Sequence, residues 1–175
     1  MKRPAHSFAD QLLLCAPAGL GVVLVLAGAL PPLFPGMFFY PEMLVLLTCF
    51  FVIYYPDAWP VWLAFLLGLL EDLVSGAALG THALLAILLT LLLKRRAVRL
   101  NRQNFRMLWI EVAAMTLGYL LALWLILSWV AHMVLPLAPL VHHVVVTVLW
   151  FPPLYFLLSK LLPYLPSASL RKTSI

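Results

Sequence analysis

Two adjacent acids, Glu71 and Asp72, follow directly on an apolar run within residues 68–85, GLLEDLVSGAALGTHALL. Paired carboxylates can pass protons, hold a cation or cap a helix, and each use demands different companions. Covalent or acid–base catalysis needs a nucleophile held against a base. No Ser/His/Asp arrangement, HExxH or phosphate loop occurs in the chain. For a cation, His82, His132, His142 and His143 with Glu42, Glu71 and Asp72 offer donors. Their spacing matches no metal motif, and adjacent histidines rarely ligate one ion together, so neither metal nor cofactor is expected. Capping fits best. Asp72 would accept hydrogen bonds from the turn that follows, and Ser75 would cap the next helix. Gly76 would permit a tight bend, and Gly68, Gly76 and Gly80 would let backbones approach closely. The stretch therefore reads as a close-packed helical corner, with a binding role as the alternative.

The elements that carry this corner follow from composition. The chain has 175 residues, 65% hydrophobic and 10% charged, with a mean hydropathy of +1.08. Soluble proteins average about 25% charged residues, so most of this surface must face lipid. A bilayer core needs about 20 apolar residues as helix. The pattern predicts an all-α integral membrane protein, one polytopic domain of six transmembrane helices, over 11–30, 41–55, 59–74, 77–93, 108–135 and 140–162. Pro41 and Glu42 look like a helix start. Pro152 and Pro153 should kink or break the last helix. The middle helices are short, about 22–26 Å at the usual rise.

An even number of spans leaves both termini on one face. All eleven Lys and Arg then flank that side, including the basic loop 94–106. The positive-inside rule makes it cytoplasmic. Trp59, Trp62, Tyr54, Tyr55, Trp109 and Tyr164 would lie at the inner interface, Tyr40 and Trp129 toward the outer one. Arg95, Arg99, Arg102 and Arg106 are spaced to form one helical stripe, suited to anionic headgroups at about 1 kcal/mol per base or to a cytoplasmic partner. Nucleic acid is not expected, since no folded soluble reader is present. Glu111 and Lys160 sit at similar depth and would pair. Cys15 and Cys49 read as buried thiols.

The stretch also resembles the signature of the MreD family of bacterial rod shape-determining proteins, through Gly68, Asp72, Ser75, Gly76, Gly80, Ala83 and Leu84. The last helix, VLWFPPLYFLL, is similar to that family's last span, with Trp150 and Pro152 in its Trp and Pro positions. The doubled acid Glu71–Asp72 and the pair Pro152–Pro153 depart from the pattern, and the first leaves open which carboxylate acts. The resemblance implies a non-enzymatic scaffold of the cell-elongation complex in the bacterial inner membrane. It would bind MreC, a single-span protein, beside the glycan polymerase RodA, a penicillin-binding transpeptidase and the actin-like MreB, and help organise peptidoglycan synthesis. It further implies a six-helix bundle similar to the S-component of vitamin transporters. Small residues and short helices would form the docking groove. The alternative is a solute-binding transporter component with an outward pocket lined by Asp72, His82, His142 and Trp129.

Overall fold

The computed structural model describes residues 18–23 and 41–161, and every described element is a helix. In chain order they are α1 (18–23), α2 (Met43–Tyr54), α3 (Val61–Ser75), α4 (Thr81–Asn101), α5 (Phe105–Val130) and α6 (Leu137–Leu161). Of the expected first span only 18–23 falls among these residues; Tyr40, Tyr164 and Cys15 lie outside them.

The centre of the bundle is α2. Its sequence, MLVLLTCFFVIY, is apolar all round, and a helix without a polar face belongs in a core. Every residue from Leu44 to Ile53 is buried. It packs chiefly on α4 and also touches α3, α5 and α6. At 12 residues it is only about 18 Å long, which suits a helix enclosed by longer neighbours. Around it, α3 pairs with α4 and α5 with α6 as two helical hairpins. Their outward faces carry Trp62, Leu66, Leu88, Ile110, Leu125 and Leu149, all exposed. A surface this apolar suits a membrane. Two helices, Phe105–Val130 and Leu137–Lys160, are long and apolar enough to cross one.

Several expected boundaries move. Pro41 does not open α2; the helix begins at Met43 with Glu42 as its N-cap. The fourth helix starts at Thr81 rather than 77, because Gly76 and Gly80 both take positive φ, 67° and 95°, and make a distinct turn. It then continues through the basic segment to Asn101, so 94–101 is helix and not loop. This places Arg95 and Arg99 on α4, Arg102 at its C-cap and Arg106 in the first turn of α5. The 56–57 turn lies beside this basic end, where Pro56, Asp57, Lys94, Asn101 and Arg102 line one cavity. Trp59 does not sit at an interface. It is wholly buried and stacks on Phe51 at 5.1 Å. At the same end Tyr155 of α6 packs against Tyr54 and Phe105, joining α2, α5 and α6.

The last helix runs unbroken through Pro152 and Pro153. A proline has no N–H, so Pro152 leaves the carbonyl four residues earlier, that of Val148, without its helical donor. The indole Nε1–H of Trp109 donates to that carbonyl at 3.0 Å. A side chain of α5 thus supplies the bond that α6 cannot make for itself. Such rescue by a neighbour is how prolines are accommodated in membrane helices.

Candidate functional site

The corner between α3 and α4 is held by Asp72. A helix leaves its first N–H groups unsatisfied, and an N-cap side chain normally accepts from them. The N-cap of α4 is Gly80, which has no side chain. Asp72 supplies the missing acceptor from the last turn of α3. Its Oδ2 accepts from the amide of Gly80 at 2.8 Å and of Ala83 at 3.4 Å. Its Oδ1 accepts from the amide of His82 at 2.9 Å and faces His82 Nδ1 at 2.8 Å. Both oxygens are fully engaged, and the residue is 1% exposed. An acid at a helix C-terminus opposes that helix's dipole. Here the positive N-terminal end of α4 offsets the penalty. Of the two adjacent acids, Asp72 is therefore the one that closes the corner.

Gly68 makes this reach possible. A Cβ on Gly68 would stand 2.6 Å from Ala83 Cα and 2.7 Å from Ala83 N, so only glycine lets α3 come this close to the first turn of α4. The expected groove of small residues for a partner is thus not at Gly68, whose face is filled by α4. Ser75 does not cap α4. It is the exposed last residue of α3, and Thr81 closes the turn instead by bonding Ala78 O through its hydroxyl at 2.7 Å.

Behind the latch lies a buried polar cluster. Glu42 enters from the start of α2, anchored by its amide donating to Thr147 Oγ1 at 3.0 Å. Glu71 points inward beside it. One carboxylate oxygen from each of Glu42 and Glu71 and a ring nitrogen of His82 lie within 4.8 Å of one another. Tyr119 of α5 is close enough to feel the charges of Glu42, Glu71 and Asp72. Glu71 and Asp72 are thus not spread on the bundle's outside. They face into the protein, with Asp72 and His82 both buried.

The remaining sequence candidates scatter. Among the described residues the histidine–acid group holds His82 but not His132, His142 or His143. His143 lines an apolar cavity with Trp124 and Leu140. Trp129 is 79% exposed, so it does not share an enclosed pocket with Asp72. The expected Glu111–Lys160 pair is not formed. Glu111 instead binds Arg96 at 2.8 Å and Arg99 at 3.4 Å, because α4 carries its bases past the start of α5. Trp150 is half-exposed on α6, and Pro152 matters through the carbonyl it frees.

Sequence reasoning missed Tyr119, Thr116 and Thr147. All three are hydroxyl residues deep in apolar helices, and all are buried. A polar side chain within a membrane segment is a functional candidate by default, and Thr116 and Tyr119 share one face of α5 by their spacing of three. That signal was available.

Residues 11–162 match the family described as rod shape-determining protein MreD. No curated protein matches the chain. No solved structure matches it either, so the likeness to the vitamin-transporter S-component stays an expectation.

Proposed function

This chain belongs to the MreD family of rod shape-determining proteins, and we propose from that premise that it is a non-enzymatic scaffold of the cell-elongation complex. Membership gives it a part in rod shape determination. The finer reading is that it binds the single span of MreC and helps position peptidoglycan synthesis by RodA and a penicillin-binding transpeptidase, in register with MreB. It would do so in the inner membrane, crossing six times with both ends cytoplasmic. The basic end, with Arg95, Arg99, Arg102 and Arg106, would rest on anionic lipid.

The observation that carries the scaffold reading is the engagement of Asp72. The signature carboxylate has no lone pair left for chemistry, because its oxygens already meet three amides and an imidazole. The signature is thus a device for building a rigid helical corner. A docking helix would then need small residues elsewhere on the lipid-facing surface. The α5–α6 pair offers an open apolar groove of about 380 Å³, lined by Ala113, Ala114, Leu117, Val144, Val145 and Val148. The transporter reading loses its support, since Asp72 and His82 are bonded to each other and Trp129 stands away in the open.

Capture of the tagged protein in mild detergent, with its MreC co-expressed, tests the proposal. Stoichiometric recovery of MreC is expected, and Ala113→Trp or Ala114→Trp should reduce it while leaving the yield of the folded bundle unchanged. Failure of the wild-type protein to retain MreC overturns the scaffold reading. Recovery unaffected by both substitutions overturns the groove. Epitope tags at the two ends, read by accessibility from each side, should both appear in the cytoplasm.

A further inference from the structure

We propose that Glu42, Glu71 and His82 form a binding site for a divalent transition-metal cation, with Tyr119 completing it and Asp72 orienting the imidazole. The donors come from three places in the chain, the cap of α2, the last turn of α3 and the first turn of α4. That is why no spacing in the sequence announces them.

The geometry suits one ion. The three donor atoms lie within 4.8 Å of one another. Oxygen and nitrogen ligands sit about 2.0–2.2 Å from zinc in a tetrahedron, hence about 3.5 Å apart, so a small closure of the side chains would seat it. Independent of the acids, Tyr119 points to a ligand. It is 5% exposed, its hydroxyl has no hydrogen-bond partner, and it lies within electrostatic reach of the same carboxyl groups. Glu42 Oε1 and Glu71 Oε2 are likewise buried without partners. Buried polar groups are normally satisfied, and a cation held between the Glu42 and Glu71 carboxyls would satisfy these oxygens.

The surroundings are those of a ligating histidine. Such a histidine commonly gives its second ring N–H to a carboxylate, which fixes its tautomer and raises its basicity. His82 Nδ1 meets Asp72 Oδ1 at 2.8 Å, and Asp72 is itself fixed by backbone amides. The lone pair then belongs to Nε2. Charge argues the same way. Arg96 and Arg99 pair with Glu111, at the opposite end of α4. Among the described residues no ion pair to a Lys or Arg offsets Glu42 or Glu71, and buried charge without compensation is costly. The imidazole favours zinc or iron over magnesium or calcium, which prefer oxygen ligands alone.

The test uses the full-length protein in detergent, purified through a tag without histidines, stripped with EDTA and dialysed against limiting zinc chloride. Metal content and thermal unfolding are read together. About one zinc per chain is expected, with a saturable rise in Tm that the same concentration of magnesium does not give. Glu71→Gln should weaken zinc binding at least about tenfold, while Glu111→Gln retains it. Zinc titration of the wild type alone needs no variant to fold. Wild-type protein that keeps no zinc, or Glu71→Gln that keeps as much as wild type, overturns the proposal.

Discussion

Replacing Asp72 by alanine removes the acceptor for three backbone amides and one imidazole nitrogen. A hydrogen bond to a charged group is worth about 1.5–3 kcal/mol net, so a straight sum over four would run to about 6–12 kcal/mol. That sum is too large. The four bonds share one carboxylate whose burial carries its own penalty, and the corner can open to let water reach the freed amides. Removal of one partner from a buried charged network costs about 3–5 kcal/mol, and this is the expected loss for Asp72→Ala. Asp72→Asn keeps one acceptor oxygen but turns an amide NH₂ toward an N–H, so about half that loss is expected. Leu73→Ala, one residue away but 64% exposed, should stay within about 0.5 kcal/mol of wild type. Unfolding by sodium dodecyl sulfate from a mild detergent, followed by tryptophan fluorescence, ranks the three. If Asp72→Ala unfolds within about 1 kcal/mol of wild type, the carboxylate is not what holds α3 to α4 and the latch is refuted.

The other predictions concern packing and pairing. Gly68→Ala should cost about 2–3 kcal/mol because its Cβ meets backbone, whereas Gly118→Ala, with open space around it, should be neutral or mildly stabilising; the same unfolding assay separates them. Trp109→Phe should cost about 1–2 kcal/mol by orphaning the Val148 carbonyl. In a Pro152→Ala background the new N–H takes over that carbonyl, so the cost should largely vanish, giving a coupling of about 1–2 kcal/mol in a double-mutant cycle. Lys160→Met should leave the stability effect of Glu111→Gln unchanged, while Arg96→Met should alter it by no more than about 1 kcal/mol, since Arg96 is half-exposed.

The helices and the corner were legible because they depend on local facts. Apolar runs bounded by proline and glycine mark helices wherever they sit, and Gly68, Asp72, Gly76 and Gly80 fall where a turn between α3 and α4 needs them. What escaped depends on distance in sequence. Trp59 reads as an interfacial aromatic until Phe51 is seen stacked upon it. Pro152 and Pro153 read as a break until an indole from 43 residues earlier mends the first of the freed carbonyls. The Glu111 partner was misplaced because α4 was ended too soon, at the first bases, although a charged helical extension beyond the membrane has the same periodicity as the span itself. Burial of Glu42 and Glu71 was hidden for a related reason. Hydropathy gives the depth of a residue along a helix but not the direction it faces.

The enclosure of α2 has a consequence for how the molecule is made. It is synthesised before α4, α5 and α6, the helices that cover it, so the nascent segment lacks most of its final neighbours when it leaves the ribosome. Lipid or an insertase must shelter it until its neighbours arrive, and native enclosure is completed only once α6 is in place. Chains truncated before residue 137 should therefore be cleared by membrane proteases rather than persist as smaller bundles, and biogenesis of this protein should be most vulnerable at its last helix.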